Sequence, residues 1–174
     1  VNENVIGGVD GIGRGTEFIM TLLGAGRGIS LPALATTAGK VASRGVGAYA
    51  RLRKQFKSQL RNFGGIKERL ARIAGKTYIM DAARRTTFRM ILDGKKPMIA
   101  SAIVKARLTE MMGEVAKDGM NVLAGAGAMN GPRNFLAELY KSVPIAQTVE
   151  GDNIMTENLI VFGQGLIVDH PYLF

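Results

Sequence analysis

The sequence predicts an all-α chain, an antiparallel four-helix bundle with a short extra helix and a remnant β-strand at the N-terminus. Three observations carry that prediction. Apolar residues recur at three- and four-residue steps over two long stretches, 66–93 and 98–124. The connections are short and carry Gly and Pro, as in "DGKKP". The only patch of strand type falls in the glycine-rich opening. Residues 1–12 are therefore expected to end a preceding β-domain or linker, and 13–174 to form the helical domain.

The opening, "VNENVIGGVDGIGRG", reads as a strand end and loop entering a helix. From Thr16 the pattern turns helical: Phe18, Ile19, Leu22, Leu23, Ile29, Leu31, Leu34 and Val41 lie among small residues through to Tyr49. One long helix is expected, loosened by Pro32 and several glycines. "KQFKSQLRNFGG" breaks the period and reads as a connection. Ile66, Leu70, Ile73, Thr77 and Met80 then share one helical face while Lys67, Glu68, Arg72 and Lys76 fall elsewhere. That helix should run to about Asp93, where Gly94 supplies a stop and Pro97 a start for the next. Met98, Ala102, Lys105, Thr109, Met112, Ala116, Met120 and Leu123 continue a mixed stripe to about Ala124, read as core in preference to a Met-rich binding surface. "AGAGAMNGPRN" follows as a loop, "FLAELYKS" as a short helix, and 153–167 as a last helical stretch interrupted by glycines near Phe162.

Composition narrows the chemistry. With no cysteine and the single His170, neither a disulfide framework, an iron–sulfur cluster nor a thiolate or multi-histidine metal site can be built. An apolar content of 47% and a mean hydropathy of +0.10 argue against a disordered chain. No apolar run approaches the roughly 20 residues of a membrane span. The start at Val1, without a basic and then apolar leader, leads us to expect a piece of a longer protein in a reducing, cytoplasmic setting, at most peripherally associated with the membrane. A net charge of +9 asks for an anionic partner: nucleic acid, a membrane surface, or a phosphorylated small molecule or cofactor. Part of it is ordinary solvated surface, as at Arg84, Arg85 and Arg89 on the polar side of a helix. Aromatic residues make up only 6%, and no helix-turn-helix, zinc-finger or RNA-binding motif is present, so nucleic acid is not expected as the partner.

Three places attract a functional reading, each with an ordinary alternative. "GVDGIGRG" and "GAGAMNG" are glycine-rich, but the second follows a helix and has the wrong spacing for a dinucleotide turn, leaving a helix cap or a backbone surface for a flat or phosphorylated ligand. "RLRKQF" sets Arg51, Arg53 and Lys54 beside Phe56 at a helix end, a solvated terminus or a phosphate fork with an adjacent ring. In "AQTVEGDN", Glu150 either caps the last helix, with Asp152 sharing the work, or serves as a base. A carboxylate in apolar surroundings binds a proton more tightly, which is what abstraction from carbon requires.

Taken as an ordered set, "GRGTEFIMTLLGAGR", "GAYARLRKQF", "LARIA", "AGAGAMNGPRNFLAELY", "PIAQTVEG" and "FGQG" resemble the C-terminal half of acyl-CoA dehydrogenases, particularly the long bacterial type of fatty-acid β-oxidation. The resemblance covers nearly the whole chain and implies the same four-helix bundle. It further implies flavin-dependent α,β-dehydrogenation of a fatty acyl-CoA, in which a glutamate removes the pro-R α-proton while the β-hydride passes to N5 of FAD. Glu150 matches that glutamate, and its backbone N–H would help polarise the thioester carbonyl. Relatives that place the base beside the first-helix arginine have no counterpart here, since that position is Gly26.

By the same resemblance Arg27, Val149 and Gly151 are expected at the substrate. Arg53, Gln55 and Phe56 match the R-x-Q-F signature that reaches the flavin of a neighbouring subunit, with Gly125 and Gly127 near its adenine end and Asn121 and Asp152 among the residues expected at the cofactor. A homodimer or homotetramer and electron-transfer flavoprotein as acceptor are implied. The sequence departs from the family pattern at Gly64, Asn121, Ala124, Lys141 and Asp152, which weakens the expected flavin contacts there. Those departures leave open a non-catalytic helical assembly or binding module of the same fold.

Overall fold

A computed structural model describes residues 4–167, 171 and 172. His170 and the first three residues lie outside that set. The chain folds into helices α1 (Gly15–Arg27), α2 (Ser30–Leu52), α3 (Gly64–Leu92), α4 (Met98–Leu123), α5 (Gly125–Ala128), α6 (Ala137–Thr148) and α7 (Asn153–Met155). The last continues into a π-helical segment, Thr156–Leu166. Two strands, β1 (Lys54–Gln55) and β2 (Ser58–Gln59), form a hairpin between α2 and α3.

α4 lies at the centre. Thirteen of its residues are buried against three in α3, so α4 is enclosed on most sides while α3 covers only one. α2 and α3 pack on it and on each other, and α1, α6 and the π-helical segment complete its enclosure. On α2 the core stripe Ala35, Ala38, Ala42, Val46 and Ala50 follows helical spacing with small side chains, which brings the helices close. Gly39 marks the tightest approach to α3, because a Cβ there would stand 2.6 Å from Met80 Cε and 2.7 Å from Thr77 Oγ1.

Ion pairs set the helix directions. Lys40 of α2 pairs with Asp81 of α3 at 3.0 Å. Asp118 of α4 receives Arg69 and Arg72 of α3, the latter at 3.0 Å, and Lys76 reaches Glu114 one turn away. The rising number on one helix against the falling number on the other makes α3 antiparallel to α4, as predicted. Hydrogen bonds from Lys40 and then Arg84 hold the Asp81 carboxyl well below the usual carboxylate range; burial opposes them, and Arg85 adds a further lowering.

Four expectations change. The single helix through 16–49 divides into α1 and α2, because the chain turns at Gly28 and Ile29; Pro32 then falls in the first turn of α2, where its missing N–H costs nothing. The remnant strand is not formed by the described part of 1–12, which carries a 3₁₀ turn at Val9–Gly11 with Gly7 and Gly8 at positive φ. The loop 124–134 contains the short α5, and the helix read from "FLAELYKS" extends through Pro144 to Thr148. The last helical stretch keeps its predicted extent but winds with wider bonds, Ile167 N donating to Phe162 O.

Ala124, at the C-terminus of α4, adopts φ 52°, ψ −124°, a region that suits glycine. Its N–H still donates to Met120 O and Asn121 O, so the strain is held by the helix end. Ala124→Gly is expected to raise stability by about 1 kcal/mol, the relieved strain exceeding the added chain entropy. Thermal unfolding of the protein carrying this domain measures it; an unchanged or lower Tm counts against the strain.

Candidate functional site

The predicted residues gather in two places at opposite ends of α2. Twenty-three helical residues separate them, roughly 35 Å.

The first lies at the N-terminal end of α2. α6 ends at Thr148, and the chain turns through Glu150 at φ 55° and Gly151 at φ 94° before α7 begins. The Glu150 carboxylate is half-buried. Ser30 Oγ stands 3.0 and 3.1 Å from its two oxygens and 3.0 Å from Gly26 O. One hydroxyl proton serves only one of these acceptors at a time. Arg27, the last residue of α1, is 3% exposed, and its Nε is buried without a partner among the described residues. Burial pushes its guanidinium below the ordinary value, and the nearby Glu150 carboxylate opposes that. An ideal Cβ on Gly151 would stand 3.3 Å from Arg27 Nη1 and 3.2 Å from Thr156 Oγ1, so a side chain here would crowd both groups in a conformation that already favours glycine.

Helix capping, the alternative for Glu150, belongs to its neighbour. Asp152 Oδ1 accepts the N–H of Ile154 at 2.9 Å, which is the cap of α7. Val149 is exposed on the approach to the turn.

Lys105 was not singled out from the sequence. It is fully buried, and its ammonium donates to Gln147 O at 2.6 Å, Gly151 O at 2.7 Å and Asn153 Oδ1 at 2.8 Å. Asn153 in turn donates to Ala106 O and Thr109 Oγ1. The signal was present as a lysine in the apolar register of α4.

The second place is a cavity of about 780 Å³ at the C-terminal end of α2. Arg53, Gln55, Asn121 and Gly125 line it, together with Tyr49, Ala124, Arg133 and Phe135. It has two guanidinium groups and no acidic residue in its lining, with aromatic rings and a glycine-rich edge beside them, a donor set suited to a flat, anionic ligand. Gly127 lies beneath, where a Cβ would meet Met120 O at 2.3 Å. Asn134 holds this loop through bonds to Gly127 O and Met129 O.

Phe56 and Lys57 form the hairpin tip, both at positive φ, which two-residue hairpin turns normally assign to Asn and Gly. The Phe56 ring is 89% exposed and meets Phe63 edge-on at 6.3 Å. Among the described residues nothing covers its outer face.

The model of the family described as "Acyl-CoA dehydrogenase, C-terminal domain" matches residues 13–163. The chain belongs to the acyl-CoA dehydrogenase family. It is 30% identical over 153 residues to the mitochondrial very long-chain specific acyl-CoA dehydrogenase of Mus musculus, covering 87% of this chain and 22% of that protein. Among solved structures it resembles an acyl-CoA dehydrogenase from Geobacillus kaustophilus, with TM-score 0.81 at 24% identity over 87% of this chain and 39% of that one. Butyryl-CoA dehydrogenase from Megasphaera elsdenii gives TM-score 0.76 at 25% identity, over 88% and 39%. The chain thus spans about a fifth of the length of its curated relatives and well under half of these structures. The bundle predicted from periodicity is the fold of this family's C-terminal helical domain.

Among the described residues no group of three His, Cys, Asp or Glu is placed to hold a metal ion, and no helix is long and apolar enough to cross a membrane.

Removing the Asp152 cap tests how the turn is held. Asp152→Ala is expected to cost about 1 kcal/mol in thermal unfolding, and Asp152→Asn, which keeps the acceptor, much less. Equal losses for the two would assign the effect to charge.

Proposed function

We propose that this chain is the C-terminal helical domain of an FAD-dependent acyl-CoA dehydrogenase. The enzyme converts a fatty acyl-CoA into its trans-2-enoyl-CoA, with Glu150 as the base that removes the α-proton. The observation that carries the reading is the turn at Glu150: a carboxylate held half-buried at left-handed φ beside Arg27, followed by glycine, at the position where the family motif has its base.

The local chemistry supports that role. When Ser30 turns its single proton to Gly26 O, both Glu150 oxygens are free to accept from carbon. Loss of the α-proton moves negative charge to the thioester oxygen. The Glu150 backbone N–H donates to no backbone acceptor among the described residues and is available to that oxygen. Arg27, with an unpaired Nε, adds positive potential at the same end, and Val149 and Gly151 shape the approach.

A bound flavin supplies the acceptor for the β-hydride. Arg53, Gln55, Phe56, Asn121, Gly125 and Gly127 would hold the flavin of a partner subunit, Arg53 on its pyrophosphate, while Asp152 would lie beside the cofactor at the Glu150 end. The roughly 35 Å between the two places supports assigning them to different cofactors of a homodimer or homotetramer. The electrons need an outlet, for which electron-transfer flavoprotein is the implied acceptor, in the cytoplasm of the cell.

In the full-length flavin-containing enzyme, Glu150→Gln is expected to retain flavin and lower turnover by roughly a thousandfold or more. Retained turnover would remove Glu150 from the mechanism, and a colourless wild-type protein would favour the assembly module. Arg53→Gln is expected to weaken flavin retention by roughly tenfold, read from the dissociation constant of the released cofactor. An unchanged constant would detach the cavity from flavin binding.

A further inference from the structure

Lys105 is the largest side chain in the fully buried part of the core, and it forms no ion pair among the described residues. A buried ammonium is costly unless its donors are satisfied. Here all three are, by neutral oxygens at 2.6–2.8 Å. Burial pushes the group below its ordinary value; the charge of Asp152 opposes this, Arg27 adds to it, and Glu150 opposes it.

The three acceptors all lie within 147–153. Gln147 O is one of the terminal carbonyls that α6 leaves unpaired, Gly151 O belongs to the turn, and Asn153 opens α7. Between them stand Glu150 and Gly151, consecutive residues at φ 55° and 94°. Glycine takes that conformation freely, whereas glutamate persists in it only where its surroundings leave no alternative. The bond from Ser30 reaches the Glu150 carboxylate and leaves its backbone unrestrained. Gly151 O also accepts Thr156 Oγ1 at 3.2 Å, and Asn153 is tied to Ala106 and Thr109 of α4, so the turn is fastened to the central helix from two sides.

We infer that Lys105 is the positioning residue for Glu150: by binding the end of α6, the Gly151 carbonyl and the Asn153 side chain at one buried point, it holds the turn in the left-handed form that presents the carboxylate to substrate. The inference rests on the reading of Glu150 as base. A residue that merely capped α6 would affect folding and leave proton transfer in the folded enzyme untouched.

The test uses the full-length flavin-containing enzyme and a 3-thia-acyl-CoA, whose sulfur at the β-position permits loss of the α-proton and no hydride transfer. Deuterium uptake at C2 from D2O then reports proton abstraction alone, alongside kcat and KM for an ordinary acyl-CoA. Lys105→Met removes the donors and keeps the chain length. It is expected to lower both exchange and kcat by about a hundredfold, the size of effect a displacement of about 1 Å produces, with KM within about threefold and flavin content retained. Where Lys105→Met does not fold, Asn153→Leu removes one of the three acceptors, and a tenfold or greater loss of exchange is expected.

Wild-type exchange per bound flavin in the folded variant overturns the inference, whether or not stability has fallen. Glu150→Gln, run in parallel, separates the two claims. Exchange lost in Glu150→Gln but kept in Lys105→Met leaves the base standing and removes Lys105, whereas exchange kept in Glu150→Gln removes the base and the inference with it.

Discussion

The structure depends on the enclosure of α4. A helix covered on most sides has to satisfy every polar group it carries, and α4 carries Lys105, Thr109 and Asp118 inside. Asp118 does so through Arg69 and Arg72 of α3, Thr109 through carbonyls of its own helix, and Lys105 through the 147–153 turn. Apolar packing tolerates a slip between helices better than these bonds do, since a slip would strand a charge without a partner. The ties of Asp118 and Lys105 therefore each fix a register, and the second of them fixes Glu150.

Two independent measures mark the same two places. Non-glycine residues at positive φ among the described residues are Phe56, Lys57, Ala124 and Glu150. Ala124 lines the cavity and Phe56 and Lys57 adjoin its edge, while Glu150 forms the other site. Buried side-chain atoms without a partner among the described residues are Arg27 Nε, beside Glu150, and Asn134 Oδ1, of the cavity loop. Strain and unmet hydrogen-bonding capacity are both costs that a structure concentrates where a ligand or reaction offsets them. Among the described residues, the bundle between the two places shows neither.

Periodicity made α3 and α4 legible because each carries a continuous stripe at three- and four-residue steps, and Gly94 and Pro97 mark the boundary between them. The α1–α2 boundary was hidden by composition: Gly24, Gly26 and Gly28 weaken the helix signal across that whole stretch, so the break at Gly28 and Ile29 does not stand out from its neighbours. The N-terminal patch had strand residues but no partner strand among the described residues, and a lone strand cannot satisfy its backbone. Glu150 is marked as a candidate by its motif, and the structure adds the left-handed turn that carries it. Lys105 stands in the stripe read as core, but a lysine in such a stripe can extend its head to solvent, and only the fold reveals three oxygens waiting inside. Ser30 and Asn153 come from stretches far apart in sequence that no local pattern joins to Glu150.

Net charge, read from composition alone, says little about which cations are available to a ligand. Arg69, Arg72, Lys76, Arg84, Arg85 and Arg89 are engaged by Asp81, Asp93, Glu114 and Asp118, so most cations of the most basic helix are already paired. Arg53 and Arg133 have no acid partner among the described residues and face one cavity, while a neighbouring groove at the same end of α2 carries Arg44, Arg51 and Arg61. At the other end Arg27 and Lys105 are buried, Lys105 among neutral acceptors, with the half-buried carboxylates of Glu150 and Asp152 nearby. The two ends therefore differ in kind. Open, unpaired guanidinium groups attract an anion from solution, whereas enclosed cations act over a short range on the groups that hold them. A docking surface for a phosphate-bearing ligand requires the first arrangement, and a site that handles one proton away from water requires the second.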